Sequence, residues 1–337
     1  MVSMKDIAKR CNVSVATVSK ALNGYSDIGK AKREEIQAVA KEMGYFPNSS
    51  ARALKTNRSY DLGILFADNL HSGLTHDYFA AILDSFKVTA ESKGYDITFT
   101  SMNMVANRRM SYYEHCRYRG LDGVVIANID FTTSEVLELV RSSLPVVTID
   151  FVFDGRVAIV SDNVKGMKDL VDYAVSMGHR KIAYIHGDNN SVTRDRLSSF
   201  HRTLAEHNIT VPDSYVKASR YRDGETTEKR MEELLDLPDR PTCVFMPDDF
   251  SAVGGYSAAQ ERGLHIPEDI SIIGYDGIPM SQALFPKLTT LKQDTKQIGK
   301  KAAEELTSLI ENPKTTLIEK ILVDGYLLEG ASVRRLK

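Results

Sequence analysis

The sequence predicts a small all-α head built on a helix-turn-helix, followed by a large α/β body of two doubly wound parallel-sheet lobes. Three observations predict it. First, charge divides unevenly: residues 1–60 carry eleven bases against five acids, a net +6, which leaves −8 for the rest of a chain that totals −2. Second, two short amphipathic segments with helix-start signals flank a tight turn at Asn12. Third, from residue 61 onward short apolar runs alternate with helical stretches.

In the head, Ser3 caps a first helix, and Asp6 completes a capping box beside the positive end of its dipole. Ile7, Ala8 and Cys11 give that helix an inner face. Ser14 caps a second helix, Val13 staples to Val18, and Asn23-Gly24 stops it. Val18, Ala21 and Leu22 then point inward, leaving Val15, Ala16, Thr17, Ser19 and Lys20 outward. A third helix, about Ala31 to Met43, carries Ile36, Val39, Ala40 and Met43 at helical spacing and ends at Gly44. Two helices across a tight turn, braced by a third, lay the second in a DNA major groove. Given the basic head, the expected partner is double-stranded DNA. Val15 and Ala16 suit thymine methyls and Lys20 suits a guanine acceptor, while Thr17 and Ser19 suit phosphates. The bland alternative is a three-helix bundle that binds protein.

In the body, strands are expected at Gly63 to Phe66, Tyr95 to Thr100, Gly123 to Ala127, Val146 to Ile149, Val157 to Ser161, Lys181 to Ile185, Thr242 to Phe245 and Ile270 to Ile273. Helices fall between them, one carrying Phe79, Ile82, Leu83 and Phe86. Such βα repetition implies parallel sheets with helices on both faces. About 275 residues overfill one core of this kind, so two lobes are expected. A ligand cleft then lies at the carboxyl ends of the strands.

Composition excludes other classes. No apolar run is long enough to span a bilayer, and the first residues lack the apolar stretch of a secretory signal, so a cytoplasmic protein is expected. Cys11, Cys116 and Cys243 form neither a metal-ligand spacing nor a disulfide framework. Phosphate-loop, dinucleotide, zinc-hydrolase and nucleophile-elbow motifs are absent, so neither enzyme activity nor a cofactor or metal is expected.

Met4 to Arg10 with Val13 to Asn23, Tyr45-Phe46-Pro47-Asn48 and Ala51-Arg52-Ala53-Leu54-Lys55 resemble the headpiece of the LacI/GalR family of bacterial transcription regulators. Ser161-Asp162-Asn163, Met177 to Ala183, Ile266 to Asp276 and Leu288 to Asp294 extend the resemblance over nearly the whole chain. It implies a headpiece over 1–58, including a hinge helix at about 48–57 that folds on operator DNA. The implied body, 59–337, has two periplasmic-binding-protein-like subdomains, about 60–161 with 292–321 and about 162–291 with 322–337. The DNA-contact set is then Val15, Ala16, Thr17, Ser19, Lys20, Asn23, Leu54 and Lys55. Leu54, flanked by Arg52, Lys55 and Arg58, is chemically suited to a minor-groove wedge.

The resemblance also places an effector on Arg196, Asp248 and Asp276, with Asp150 lining the same cleft. Arg194 opens the same helix as Arg196. Phe66, Tyr78, Tyr112, Phe151 and Phe250 are candidates for an apolar face, and helix capping is the competing role for each aspartate. Several carboxylates around one arginine suit a neutral, polyhydroxylated carbohydrate; a purine or a phosphosugar is the alternative. Asp248 stands where the family often has Asn, and Ser199 where it usually has Gly. The tail Val333 to Lys337 has no apolar heptads, so a homodimer on a palindromic operator is expected. The rival from another class is a solute-binding protein of a transport system.

Overall fold

Strands buried on both faces read as continuous apolar runs, and the runs Gly123 to Ala127, Val146 to Ile149 and Val157 to Ser161 form strands with those bounds. The computed structural model describes residues 2–46, 58–67, 73–101, 104–105 and 108–337. The chain separates into two units, residues 1–59 and 60–337. The expected hinge helix, with Leu54 and Lys55, lies outside the described residues.

The first unit holds α1 (Met4–Arg10), α2 (Val15–Leu22) and α3 (Lys30–Glu42). The Ser3 N–H donates to the Asp6 carboxylate at 2.8 Å, and the Thr17 N–H donates to Ser14 Oγ at 3.0 Å, so both starts are capped. Asn12 takes φ 51° at the turn. Ile7, Ala8, Cys11, Val18, Ala21, Ile36 and Ala40 close a small core.

In the second unit the first sheet is ordered β13-β7-β6-β5-β1-β2. Its strands are β1 (Asp61–Phe66), β2 (Asp96–Thr100), β5 (Gly123–Ala127), β6 (Val146–Ile149), β7 (Val157–Ser161) and β13 (Lys320–Val323), all parallel. Ile64 and Val125 pack toward α4 (Asp77–Ser92) and α11 (Thr295–Glu311). Their neighbours Leu65, Val124 and Ile126 pack the other way, toward α5 (Tyr112–Arg119) and α6 (Ser134–Arg141).

The second sheet is ordered β14-β12-β11-β10-β8-β9. It comprises β8 (Ile182–His186), β9 (Val216–Ala218), β10 (Cys243–Phe245), β11 (Ser271–Asp276), β12 (Thr289–Lys292) and β14 (Tyr326–Leu328). It lies between α7 (Asn163–Ser176) with α8 (Ser191–Glu206) and α9 (Gly224–Leu235) with α10 (Ala252–Glu261). The chain passes between the sheets after Ser161, after Lys292 and after Val323.

Two features depart from uniform βα repetition. β14 returns directly and pairs antiparallel with β12, because the Asp324-Gly325 connection after β13 leaves no room for a crossover helix. A two-residue antiparallel ladder, β3 (Met104–Val105) with β4 (Arg108–Arg109), stands apart from both sheets.

Candidate functional site

The outer face of α2 is one candidate interface. Val15, Ala16 and Lys20 are exposed, while Thr17 and Ser19 are half-buried. Two of the polar groups are already engaged: Thr17 Oγ1 hydrogen-bonds Ser14 Oγ at 2.8 Å, and Asn23 Nδ2 donates to the Ser19 carbonyl at 2.6 Å. The Lys20 ammonium donates to the Asp27 carboxylate, an ion pair with both partners about half exposed. The loop bearing Asp27 is held by Arg33, whose Nη2 donates to the carbonyls of Tyr25 (3.1 Å) and Ile28 (3.0 Å).

The second site is a cavity at the carboxyl ends of both sheets, an inner chamber of about 180 Å³ that opens into a wider mouth. Asp150 follows β6, Asp276 ends β11, Asp248 follows β10, and Arg196 sits one turn into α8. All four line the inner chamber, as do Tyr78 and Phe151. The remaining candidates go elsewhere. Phe66 packs against Phe79 (centroids 5.6 Å apart) inside the first lobe, because it closes β1 on the side covered by α4. Phe250 lies under the Arg222 guanidinium at 4.5 Å, and Tyr112 is buried between α5 and the first sheet. Arg194 faces the mouth, not the chamber.

The carboxylates are less free than their residue types suggest. Asp248, 2% exposed, accepts from Ser251 N (2.7 Å), Ser251 Oγ (2.9 Å) and Arg222 N (2.8 Å), so it holds the turn that leads into α10. Asp150, at φ 57°, accepts from Ser161 N and the Tyr78 hydroxyl, each at 3.0 Å. Asp276 accepts from Gln293 Nε2 at 2.6 Å. Burial pushes the Asp276 carboxyl up to about 7, against the pull of Arg196 and helped by the negative charge of Asp248 and Asp150. Asp249, next to Asp248, is fully buried on Thr290 and Ile278 and serves the fold.

Arg196 is 4% exposed. Its guanidinium lies over the Tyr275 ring at 3.4 Å, Nε donates to Asn163 Oδ1 at 2.8 Å, and Nη1 donates to the Pro247 carbonyl at 3.2 Å. Nη2 stands 3.9 Å from Asp276 Oδ1, beyond hydrogen-bond reach. Ser199, one turn further along α8, donates to the Val164 carbonyl at 2.6 Å, so its hydroxyl joins α8 to α7.

The family "Bacterial regulatory proteins, lacI family" matches residues 3–48, and "Periplasmic binding protein-like domain" matches 171–333. The probable HTH-type transcriptional repressor ExuR of Bacillus subtilis is 32% identical over 100% of this chain and 99% of its own. The chain belongs to the LacI family. The ribose operon repressor of Haemophilus influenzae is 31% identical over 93% of each chain. Among solved structures, the Lac repressor dimer bound to operator and an anti-inducer shares the fold, with a TM-score of 0.82 at 24% identity over 99% of each chain. This LacI-family member is therefore a sequence-specific DNA-binding transcription regulator. Among its described residues no helix is long and apolar enough to cross a membrane, and no cluster of His, Cys, Asp and Glu could hold a metal.

Sequence reasoning missed several chamber residues. Asn128 and Phe131 follow β5, Tyr221 and Arg222 follow β9, and Gln293 follows β12. The rule that found Asp150, that ligand groups follow strand ends, applies to all of them. β9 and β12 (Thr-Thr-Leu-Lys) lack a recognisable apolar run, which hid Tyr221, Arg222 and Gln293.

Proposed function

We propose that this regulator is a repressor that binds a palindromic operator as a homodimer and answers to a carbohydrate held in the cavity. On this reading Val15, Ala16 and Lys20 read bases, and Arg196 with Asp276 holds the effector, in a protein that works in the cytoplasm with no enzymatic role. The observation that carries the effector reading is the mixed character of the chamber wall. Phe79, Ile129, Phe131 and Phe151 of the first lobe make an apolar side, with Phe131 stacked on Phe151 at 4.4 Å and 13°. Tyr78, Asn128 and Asp150 of that lobe and Asn190, Arg196, Tyr221 and Asp276 of the second add hydrogen-bonding groups around it. A sugar ring has an apolar face and hydrogen-bonding edges, and matches such a wall.

Thermal unfolding of the full chain against sugars and nucleobases tests this. A sugar at a hundred times its dissociation constant stabilises the native state by about 2.7 kcal/mol, a shift of a few degrees. Arg196→Ala should abolish that shift and leave operator affinity in the absence of sugar unchanged. Stabilisation by a nucleobase and by no sugar would replace the carbohydrate with a purine.

A further inference from the structure

The unspent hydrogen-bonding capacity of the cavity is unevenly placed. Inside, the acids are engaged: Asp150 and Asp248 accept at least two protein donors each, and Asp276 accepts from Gln293. Two donors there are not. Asn128 Nδ2 is buried without a partner, and the Nη2 edge of Arg196 has no carboxylate within hydrogen-bond distance. Three arginines, Arg194, Arg220 and Arg222, line the mouth, a space of about 730 Å³. The side chains of Arg194 and Arg220 form no ion pair or hydrogen bond among the described residues. Arg222, 12% exposed, is ion-paired to Asp77 through Nη1 at 3.5 Å and lies over the Phe250 ring. Two acids share the mouth, but each is turned onto protein donors: Asp130 accepts from the N–H and hydroxyl of Thr132 (2.9 and 2.6 Å), and Asp188 from the Tyr221 N–H (3.2 Å).

We propose that the effector is an acidic carbohydrate, its hydroxylated ring in the inner chamber against Arg196 and Asp276, its carboxylate or phosphate at the mouth among Arg194, Arg220 and Arg222. This rests on the carbohydrate reading above and departs from a neutral ligand, because the fold already supplies donors to the chamber carboxylates. Arginine forks bind planar or tetrahedral oxyanions through paired charge-assisted hydrogen bonds. The half-buried Arg222 supplies a contact little screened by salt, and the exposed Arg194 and Arg220 draw the anion in.

The test uses the full chain and matched series: glucose, glucuronate and glucose 6-phosphate, and the galactose equivalents, followed by thermal unfolding and calorimetric titration. A carboxylate or phosphate member should bind at least tenfold more tightly than its neutral parent. Its affinity should fall between 0.05 and 0.5 M salt, and should drop at least tenfold in Arg194→Ala/Arg220→Ala. Both arginines are exposed, so that variant should unfold at the wild-type temperature without ligand. Tighter binding of the carboxylate member identifies a sugar acid, and of the phosphate member a sugar phosphate. A neutral parent that binds as tightly as its acid overturns the anionic group and keeps the carbohydrate. Silence of every sugar, acid and phosphate beside a response to a nucleobase overturns both.

Discussion

Asp276 sits where two demands conflict: Arg196 needs a counter-charge, and burial resists one. With its carboxyl at about 7 against 3.8 unfolded, native Asp276 retains a proton that the unfolded chain has released. Its contribution to stability is therefore present below pH 3.8 and lost as pH rises toward 7. Asp276→Asn removes that dependence. Urea unfolding between pH 4.5 and 7.5 should show the variant gaining on wild type by up to ~1.4 kcal/mol per pH unit; parallel profiles would contradict the shift. In the headpiece, Lys20 is not free to meet DNA without leaving Asp27. On non-operator DNA, where Lys20 has no matching guanine to read and its ammonium takes a phosphate instead, Asp27→Asn should raise affinity and steepen the plot of log affinity against log salt by roughly 0.9, the value for one added phosphate contact. An unchanged slope would mean that the pair opens at no cost. The Lys20 position was legible because its helix is local and capped; its partner was not, since an ion pair across seven residues leaves no periodic signal.

At the scale of elements, sequence patterning reached furthest where burial was simplest. Strands covered on both faces announced themselves as apolar runs, and Ser3 and Ser14 marked helix starts through chemistry that acts over three residues. The antiparallel β14 and the short β9 did not, because their identity depends on partners distant in sequence. Helix packing leaves a subtler mark. A Cβ at Gly299 of α11 would lie 2.2 Å from the Ile82 carbonyl oxygen of α4, so the two helices cross at backbone contact. Gly299→Ala would favour the isolated helix by up to ~1 kcal/mol, yet it must drive these helices apart. Overpacking of this kind costs about 1–3 kcal/mol, so the urea midpoint should fall. A rise would mean that the crossing can relax.

At the scale of the whole molecule, regulation needs the cavity to sense both lobes at once, and one hydrogen-bond chain does so. Asp150 accepts from the Tyr78 hydroxyl in the first lobe. That hydroxyl lies 3.3 Å from Gln293 Oε1, just past β12 where the chain leaves the second sheet, and Gln293 Nε2 donates to Asp276. A ligand that engages Asp276 and Asp150 together thus acts on both ends of this connection. Allosteric response is a coupling free energy, typically a 5- to 150-fold change in affinity at a second site. Tyr78→Phe keeps the ring against Phe79 and deletes a hydroxyl that links the first lobe to Gln293. Operator titrations with and without saturating effector should therefore show a smaller coupling factor in Tyr78→Phe, with a smaller change in effector affinity itself. Equal losses in both would place Tyr78 in ligand binding alone, and an unchanged coupling factor would send the signal through the packed strands at the three crossings.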